Sequence, residues 1–224
     1  MAEFRRILSP FARSECGPVH YSGPMRISDF AVPDTAAARG ARELMHEYHS
    51  PALINHVVRS WLWAEAFAVV EGRADVDHEL LYAAALLHDI GLAPAFDNHV
   101  LGYEEAGGHV GEAMAAGAGW PAERRRRINE VIVRHNWPEV DPAFDLEGYL
   151  LETATGLDIS GRRDAEIPLE FRREVLHAHP RLALAEEFGA GVRDQASRKP
   201  HSHARRLFDG GVVDKLAANP LERV

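Results

Sequence analysis

The chain has little cysteine and little clustered positive charge. The first shortage limits the kinds of metal site and cross-link it can form, and the second limits its partners. Cys16 is the single cysteine in 224 residues, which excludes an intramolecular disulfide framework and a cysteine zinc cage. Any metal ion must therefore be held by nitrogen and oxygen. The 34 Asp and Glu outnumber the 25 Lys and Arg, for a net charge of -9. This balance argues against nucleic acid as a partner, because nucleic-acid affinity draws on clustered Lys and Arg.

Long hydrophobic runs are also missing. No apolar stretch approaches the ~20 residues that a membrane span needs, and the segment 1–6 is not followed by the apolar core of a signal peptide. We therefore expect a cytoplasmic protein with no membrane partner. The sequence shows no convincing strand, no internal repeat and no phosphate-cradling glycine loop, so the fold class we predict is all-α.

The chain divides at about residue 33. Residues 1–33 carry Pro and Gly without periodicity and are predicted to form an extended N-terminal arm, whereas 34–224 are predicted to form one helical domain. A first helix is predicted from a cap at Asp34 or Thr35 to a point before Pro51, and a second over 52–72 with most of its circumference buried. Two or three further helices are expected after residue 168. The apolar second helix is compatible with a homodimer, although nothing in the pattern separates interface from core.

The run 83–92 contains the most unusual polar pair. It is a small-residue apolar run that ends in His88 and Asp89, and a helix is predicted from Asp75 or Asp77 to Asp89. Burying an imidazole beside a carboxylate is costly unless both are hydrogen-bonded or bound to a cation. The pair is therefore either a hydrogen-bonded core contact or part of a metal site.

Other polar residues recur inside apolar helical patterns. His56 and Arg59 lie one turn apart on the second helix, and His135 lies on the same face as core residues. Asp158, between two apolar residues in a glycine-flanked segment, is either a turn former or part of a site. Helical proteins build metal sites from ligands on separate helices. The candidate set is His56, His88, Asp89, His109, His135 and Asp158, whereas the remaining histidines toward the C-terminus, including His203, are assigned to the surface or to structure.

The order His, His-Asp, Asp resembles the HD-domain superfamily of metal-dependent hydrolases. The resemblance implies that one divalent ion, zinc or iron with manganese also compatible, is held by His56, His88, Asp89 and Asp158. Family members with two metals add histidines between the His-Asp pair and the last Asp. His109 and His135 stand where those histidines are expected, as second-metal or substrate contacts.

A narrower resemblance covers residues 34–205. The motifs look like those of the cyanamide hydratase branch, although Ala106 and Gly108 depart from the branch pattern and His109 is a further departure. They are Asn55-His56-Val-Val-Arg59-Ser60, Ala84-Ala85-Leu86-Leu87-His88-Asp89-Ile90-Gly91, Tyr103-Glu104-Glu105-Ala106-Gly107-Gly108, Arg134-His135 and Gly156-Leu157-Asp158-Ile159-Ser160-Gly161.

This resemblance implies an enzyme, a metal-dependent hydrolase or lyase acting on a small molecule. A metal ion in a His/Asp site with an open position lowers the pKa of its bound water toward ~7. The hydroxide is expected to attack cyanamide or a related nitrile and give a urea-type amide, with His135 as the acid and Glu104, Asn55 and Arg59 as substrate contacts. The alternatives are a phosphohydrolase of a nucleotide or small phosphate ester, a di-iron oxygenase using all six candidate ligands, and a non-catalytic regulatory domain.

Overall fold

The computed structural model describes residues 23–224, so most of the predicted N-terminal arm lies outside the described residues. Within this part of the chain the regular structure is entirely helical, which confirms the all-α prediction. Short 3-10 helices lie at Ile27–Asp29, Ile90–Leu92, Asp164–Glu166 and Pro220–Arg223. The α-helices are α1 (Ala36–Tyr48), α2 (Pro51–Val70), α3 (His78–Leu87), α4 (Tyr103–Gly117), α5 (Ala122–Arg134), α6 (Leu146–Ser160), α7 (Leu169–Ala178), α8 (Leu184–Arg198), α9 (His203–Asp209) and α10 (Val212–Ala217).

The first three helices begin where their capping residues predict. The Thr35 hydroxyl accepts a hydrogen bond from the backbone of Ala38 at 3.1 Å. Ser50 and Asp77 cap α2 and α3 in the same way, at 3.2 Å and 3.0 Å. Each cap satisfies an amide that has no partner inside its helix, which stabilises the helix by about 1 kcal/mol. Among residues 23–224, no helix is long and apolar enough to cross a membrane.

Two hydrophobic cores organise the helices. The larger core surrounds α3, whose residues 83–87 are fully buried, and includes Trp63 of α2 and Ile132 of α5. The smaller core joins α8 and α10 to the start of α2, through Phe188, Leu216 and Leu53. The C-terminal helices therefore cover the end of α2 that carries His56. The segment after residue 168 holds four α-helices, more than the two or three predicted.

Two helix ends determine where candidate ligands lie, and the first differs from the prediction that its helix runs to Asp89. α3 ends at Leu87, so His88 and Asp89 follow the helix and Asp89 has left helical geometry, with φ -103° and ψ 5°. α6 continues through Asp158 to Ser160 and ends at Gly161, whose φ of 73° suits a left-handed cap. The glycine-flanked segment therefore places Asp158 inside a helix, where its side chain points toward α2.

Gly91 marks the closest approach of two backbone segments near the candidate site. A Cβ atom at this position would lie 2.0 Å from the carbonyl oxygen of Tyr103, the first residue of α4. No side chain fits there unless the backbone moves. This contact explains why the chain turns sharply after Asp89 and brings α4 against the end of α3.

We expect Gly91→Ala to lower the free energy of unfolding by about 1–3 kcal/mol, because the new methyl group overpacks a backbone contact. Gly117→Ala is the matched control, since nothing lies within 4 Å of a Cβ at the end of α4. Alanine should leave that helix unchanged or stabilise it by about 0.5–1 kcal/mol. Urea denaturation of both variants checks the prediction, and equal stability of the two would contradict it.

Candidate metal centre

Three of the predicted ligands meet at one buried point. The Nε2 atoms of His56 and His88 lie 3.2 Å apart. Asp89 Oδ2 is 3.2 Å from His56 Nε2 and 3.4 Å from His88 Nε2. Each of the three residues is only 1% exposed. The break at the end of α3 makes this geometry available, because adjacent residues on an unbroken helix point about 100° apart.

The protons on the histidine rings are determined by what each Nδ1 atom contacts. His88 Nδ1 lies 2.7 Å from the carbonyl oxygen of Ala85, and His135 Nδ1 contacts the carbonyl oxygen of Ile132. A carbonyl only accepts, so both Nδ1 atoms carry the proton and both Nε2 atoms hold a lone pair. His56 Nδ1 donates to a carboxylate in the same way. When the rings are neutral, as metal binding requires, three Nε2 lone pairs face the centre.

Asp89 gives the strongest indication that a cation belongs at this point. Neither carboxylate oxygen of Asp89 has a hydrogen-bond partner among the described residues, although both are buried. Burial alone would raise the pKa of Asp89, but His88 and His56 outweigh it and hold this pKa well below its usual range. Burial likewise opposes the charged form of His56, yet Asp158 and Asp89 raise its pKa. The cluster attracts positive charge, and its nitrogen and oxygen donors fit a divalent ion.

Asp158 lies behind His56 and not beside its Nε2 atom. One oxygen of Asp158 accepts from His56 Nδ1 at 2.7 Å and from Arg59 at 2.7 Å, and the other accepts from Arg59 and Trp63 at 2.8 Å each. Burial would raise the pKa of Asp158, but the Arg59 guanidinium holds it well below its usual range. This carboxylate orients His56 in the structure. Its predicted role as a direct metal ligand stays a prediction.

His135 borders the same cluster. Its Nε2 atom is 3.8 Å from Asp89 Oδ1, and its ring centroid is 4.7 Å from that of His88. Burial, aided by His88, lowers the pKa of His135 to about 4, so the ring is neutral at neutral pH. A neutral ring with its proton on Nδ1 offers Nε2 as an acceptor or ligand.

The structure does not bring three other predicted residues to the pocket. The Asn55 amide donates to the carbonyl oxygen of Pro180, and Arg59 is fully buried against Asp158 and the same segment. His109 lies on the exposed side of α4 and contacts Asn129 at 3.4 Å. It follows Glu104 by five residues, which turns it about 140° round the helix from that buried side chain.

Glu104 reaches the pocket through a histidine that the sequence did not single out. Its Oε1 atom is 2.7 Å from His203 Nδ1, and His203 lines the pocket. Burial raises the pKa of Glu104 above its usual value. The two residues are 99 positions apart. The only local signal at His203 is the preceding Ser202 cap of α9, which indicates a helix start and no chemistry.

The cluster lies at the buried end of a cavity of about 390 Å³. Basic residues from the C-terminal part of the chain also line this cavity: Arg162, Arg206 and Lys215. Arg162 bonds to Glu152 at 2.6 Å. Arg206 and Lys215 are exposed, and neither makes a salt bridge or side-chain hydrogen bond with any residue in 23–224. The cavity therefore runs from the candidate metal cluster to a basic rim.

Comparison with known families agrees with this geometry. The model of the HD domain family matches residues 53–151, which include His56, His88, Asp89 and His135. This part of the chain is therefore similar to the HD domain family. Asp158 lies outside the matched residues.

Two proteins from Saccharomyces cerevisiae are similar to most of the chain. They are Cyanamide hydratase DDI2 and Cyanamide hydratase DDI3, each 27% identical over 183 residues, which cover 79% of this chain and 80% of the relative. The predicted resemblance to the cyanamide hydratase branch of the HD superfamily is thereby confirmed. Together the HD domain and these relatives support a metal-dependent hydrolase or hydratase.

Proposed function

We propose that the protein hydrates cyanamide or a related nitrile. Water adds across the carbon–nitrogen triple bond, its oxygen going to carbon and both protons to nitrogen, so that R–CN becomes the amide R–CONH2. The observation that carries the proposal is the unbonded Asp89 carboxylate facing the Nε2 atoms of His56 and His88 at the end of an open cavity. The similarity to two relatives named as cyanamide hydratases supports it.

His56, His88 and Asp89 would hold the ion, with Asp158, as predicted, or His135 as the fourth ligand. Zinc and iron both suit this donor set, and manganese is compatible. When bound, a divalent ion supplies a nucleophile at neutral pH by lowering the pKa of water toward ~7. The side chains that would hold the ion are shielded from bulk water, since His56, His88 and Asp89 are each 1% exposed.

The protons of the reaction need a donor near the nitrile nitrogen. His135 was the predicted acid, but its neutral ring keeps its proton on Nδ1, bonded to Ile132, and its Nε2 has none to give. We assign the donor role to His203. Its Nδ1 atom lies 2.7 Å from the Glu104 carboxyl group, which can exchange a proton with that side of the ring while the Nε2–H passes to the nitrile nitrogen.

A phosphohydrolase is the second candidate, and one observation favours it. Arg206 and Lys215 line the cavity without a salt bridge to a described carboxylate, as cations that neutralise phosphoryl oxygens would. The di-iron oxygenase alternative needs six ligands in one place. The described residues do not assemble that set, because His109 is exposed on α4 and contacts Asn129 away from the cluster.

Metal content and cyanamide turnover test the proposal together. We expect one divalent ion per chain by elemental analysis, unchanged in His109→Ala, and formation of urea from cyanamide by the same metal-loaded protein. His109→Ala is informative because the residue lies away from the cluster. Two ions per chain, falling to one in His109→Ala, would contradict a mononuclear site. Absence of urea with release of phosphate from nucleotides would favour the second candidate.

A further inference from the structure

We propose that the physiological substrate is larger than cyanamide: a nitrile or substituted cyanamide with an apolar body and a carboxylate at its far end. This inference rests on the proposed hydration of a nitrile. It names the substrate class from the shape and charge of the cavity, which extends well beyond the metal-binding cluster.

The volume of the cavity is the first argument. Cyanamide has three non-hydrogen atoms, whereas the 390 Å³ cavity has room for more than ten water molecules at ~30 Å³ each. Cavities of ~300–1,000 Å³ usually enclose ligands of drug size. Cyanamide alone would leave most of this space to water, which weakens the electrostatic interactions of the site. A longer substrate would fill the cavity and exclude that water.

The wall between the cluster and the rim is the second argument. Apolar side chains from four separate helices line it: Ile159 of α6, Phe188 of α8, Leu207 of α9 and Val212 of α10. Phe188 also approaches His56, with ring centroids 6.0 Å apart. An apolar chain or ring next to the nitrile would bury its surface here, whereas a polar sugar or peptide would lose its hydrogen bonds to water.

The charge of the rim is the third argument. Two carboxylates line the cavity, Asp89 in the cluster and Glu152, which is bonded to Arg162. Arg206 and Lys215 make no salt bridge with any carboxylate in residues 23–224, and Arg206 interacts at longer range with Glu104. Both are exposed, whereas the cluster is buried, so they lie on the solvent side of the cavity. A carboxylate there would gain charge-assisted hydrogen bonds, and the nitrile at the other end would reach the cluster.

The test uses a series of ω-cyano carboxylates, from cyanoacetate to 6-cyanohexanoate, against the matched ω-cyano amides. With metal-loaded full-length protein, we expect kcat/KM to rise with chain length. At the best length, the acid should exceed the amide roughly tenfold, the size of one hydrogen bond to a charged group. This acid-over-amide ratio should fall toward one in Arg206→Gln/Lys215→Gln. Arg205→Gln is the matched control, because Arg205 has the same charge on the same helix but pairs with Asp209.

The outcomes separate this inference from the proposed function. No preference for acid over amide at any length, or a preference that survives in the double variant, would overturn the inference while neutral nitriles are still hydrated. If cyanamide and every nitrile stay unreacted, the proposed function fails. Calorimetric binding of the same acids to the metal-loaded protein and the double variant then tests the anion site by itself. Equal affinity for acid and amide would overturn it.

Discussion

Asp89→Asn is expected to abolish stoichiometric metal binding and to lower kcat/KM for nitrile hydration by roughly 10³-fold or more, because the activated water is lost with the ion. Asp89 is the only carboxylate whose oxygen lies beside both His56 Nε2 and His88 Nε2 among the described residues. Asparagine keeps the shape of the side chain but removes the charge that balances the ion. Elemental analysis and initial rates, measured on the same preparations, check this prediction.

Asp194→Asn is the matched control for this substitution. It makes the same chemical change at an exposed position, where the carboxylate pairs with Arg198 on the surface of α8. Exposed pairs of this kind contribute about 0–1 kcal/mol, so metal content and rate should stay at their wild-type values. Full metal content in Asp89→Asn would show that the cluster is not the metal site.

Asp158→Ala is expected to lower the free energy of unfolding by about 3–5 kcal/mol, because removing one partner of a buried ion pair leaves an uncompensated charge. Arg59 is 0% exposed and bonds to both oxygens of Asp158. Trp63 Nε1 and His56 Nδ1 would also lose their acceptor. At about 2–4 °C per kcal/mol, the melting temperature should fall by roughly 6–20 °C.

Thermal unfolding of the metal-free protein is the proper measurement, since it separates this effect from the loss of a ligand. Asp209→Ala is the control, because Asp209 pairs with Arg205 on the exposed side of α9. If metal-free Asp158→Ala and Asp209→Ala have the same melting temperature, the buried network around Asp158 does not contribute the expected stability. The metal content of Asp158→Asn is a second measurement. One ion per chain favours His135 as the fourth ligand, whereas loss of the ion favours the predicted role of Asp158 as a ligand.

Part of the site was predictable because its signals are local. The caps at Thr35, Ser50 and Asp77 indicate helix starts from a few adjacent residues. The pair His88-Asp89 at the end of an apolar run indicates a buried polar site, because such groups are costly without partners. The structure brings His56, His88 and Asp89 together, as their pattern suggested.

Other features depended on orientation, which sequence spacing does not determine. His109 and His135 both had the residue type and order expected of ligands. Only His135 borders the cluster, while His109 contacts Asn129 on the exposed side of α4. Arg59 was predicted to contact substrate, but its guanidinium is bonded to Asp158 and to the carbonyl oxygens of His179 and Pro180. A buried arginine requires such partners, and they come from segments 99 to 121 residues away.

By itself, the sequence determined the all-α class, the starts of the first three helices and the residues able to hold an ion, since periodicity, capping and residue chemistry act over a few positions. Tertiary structure alone decided that Asp158 lies behind His56 and that His203 reaches Glu104 across 99 residues. It also decided that Arg206 and Lys215 line the cavity. The reason is physical: these contacts form only when α6 packs on α2 and the C-terminal helices pack against the starts of α2 and α4. That packing is driven by non-directional apolar burial, which leaves no local pattern.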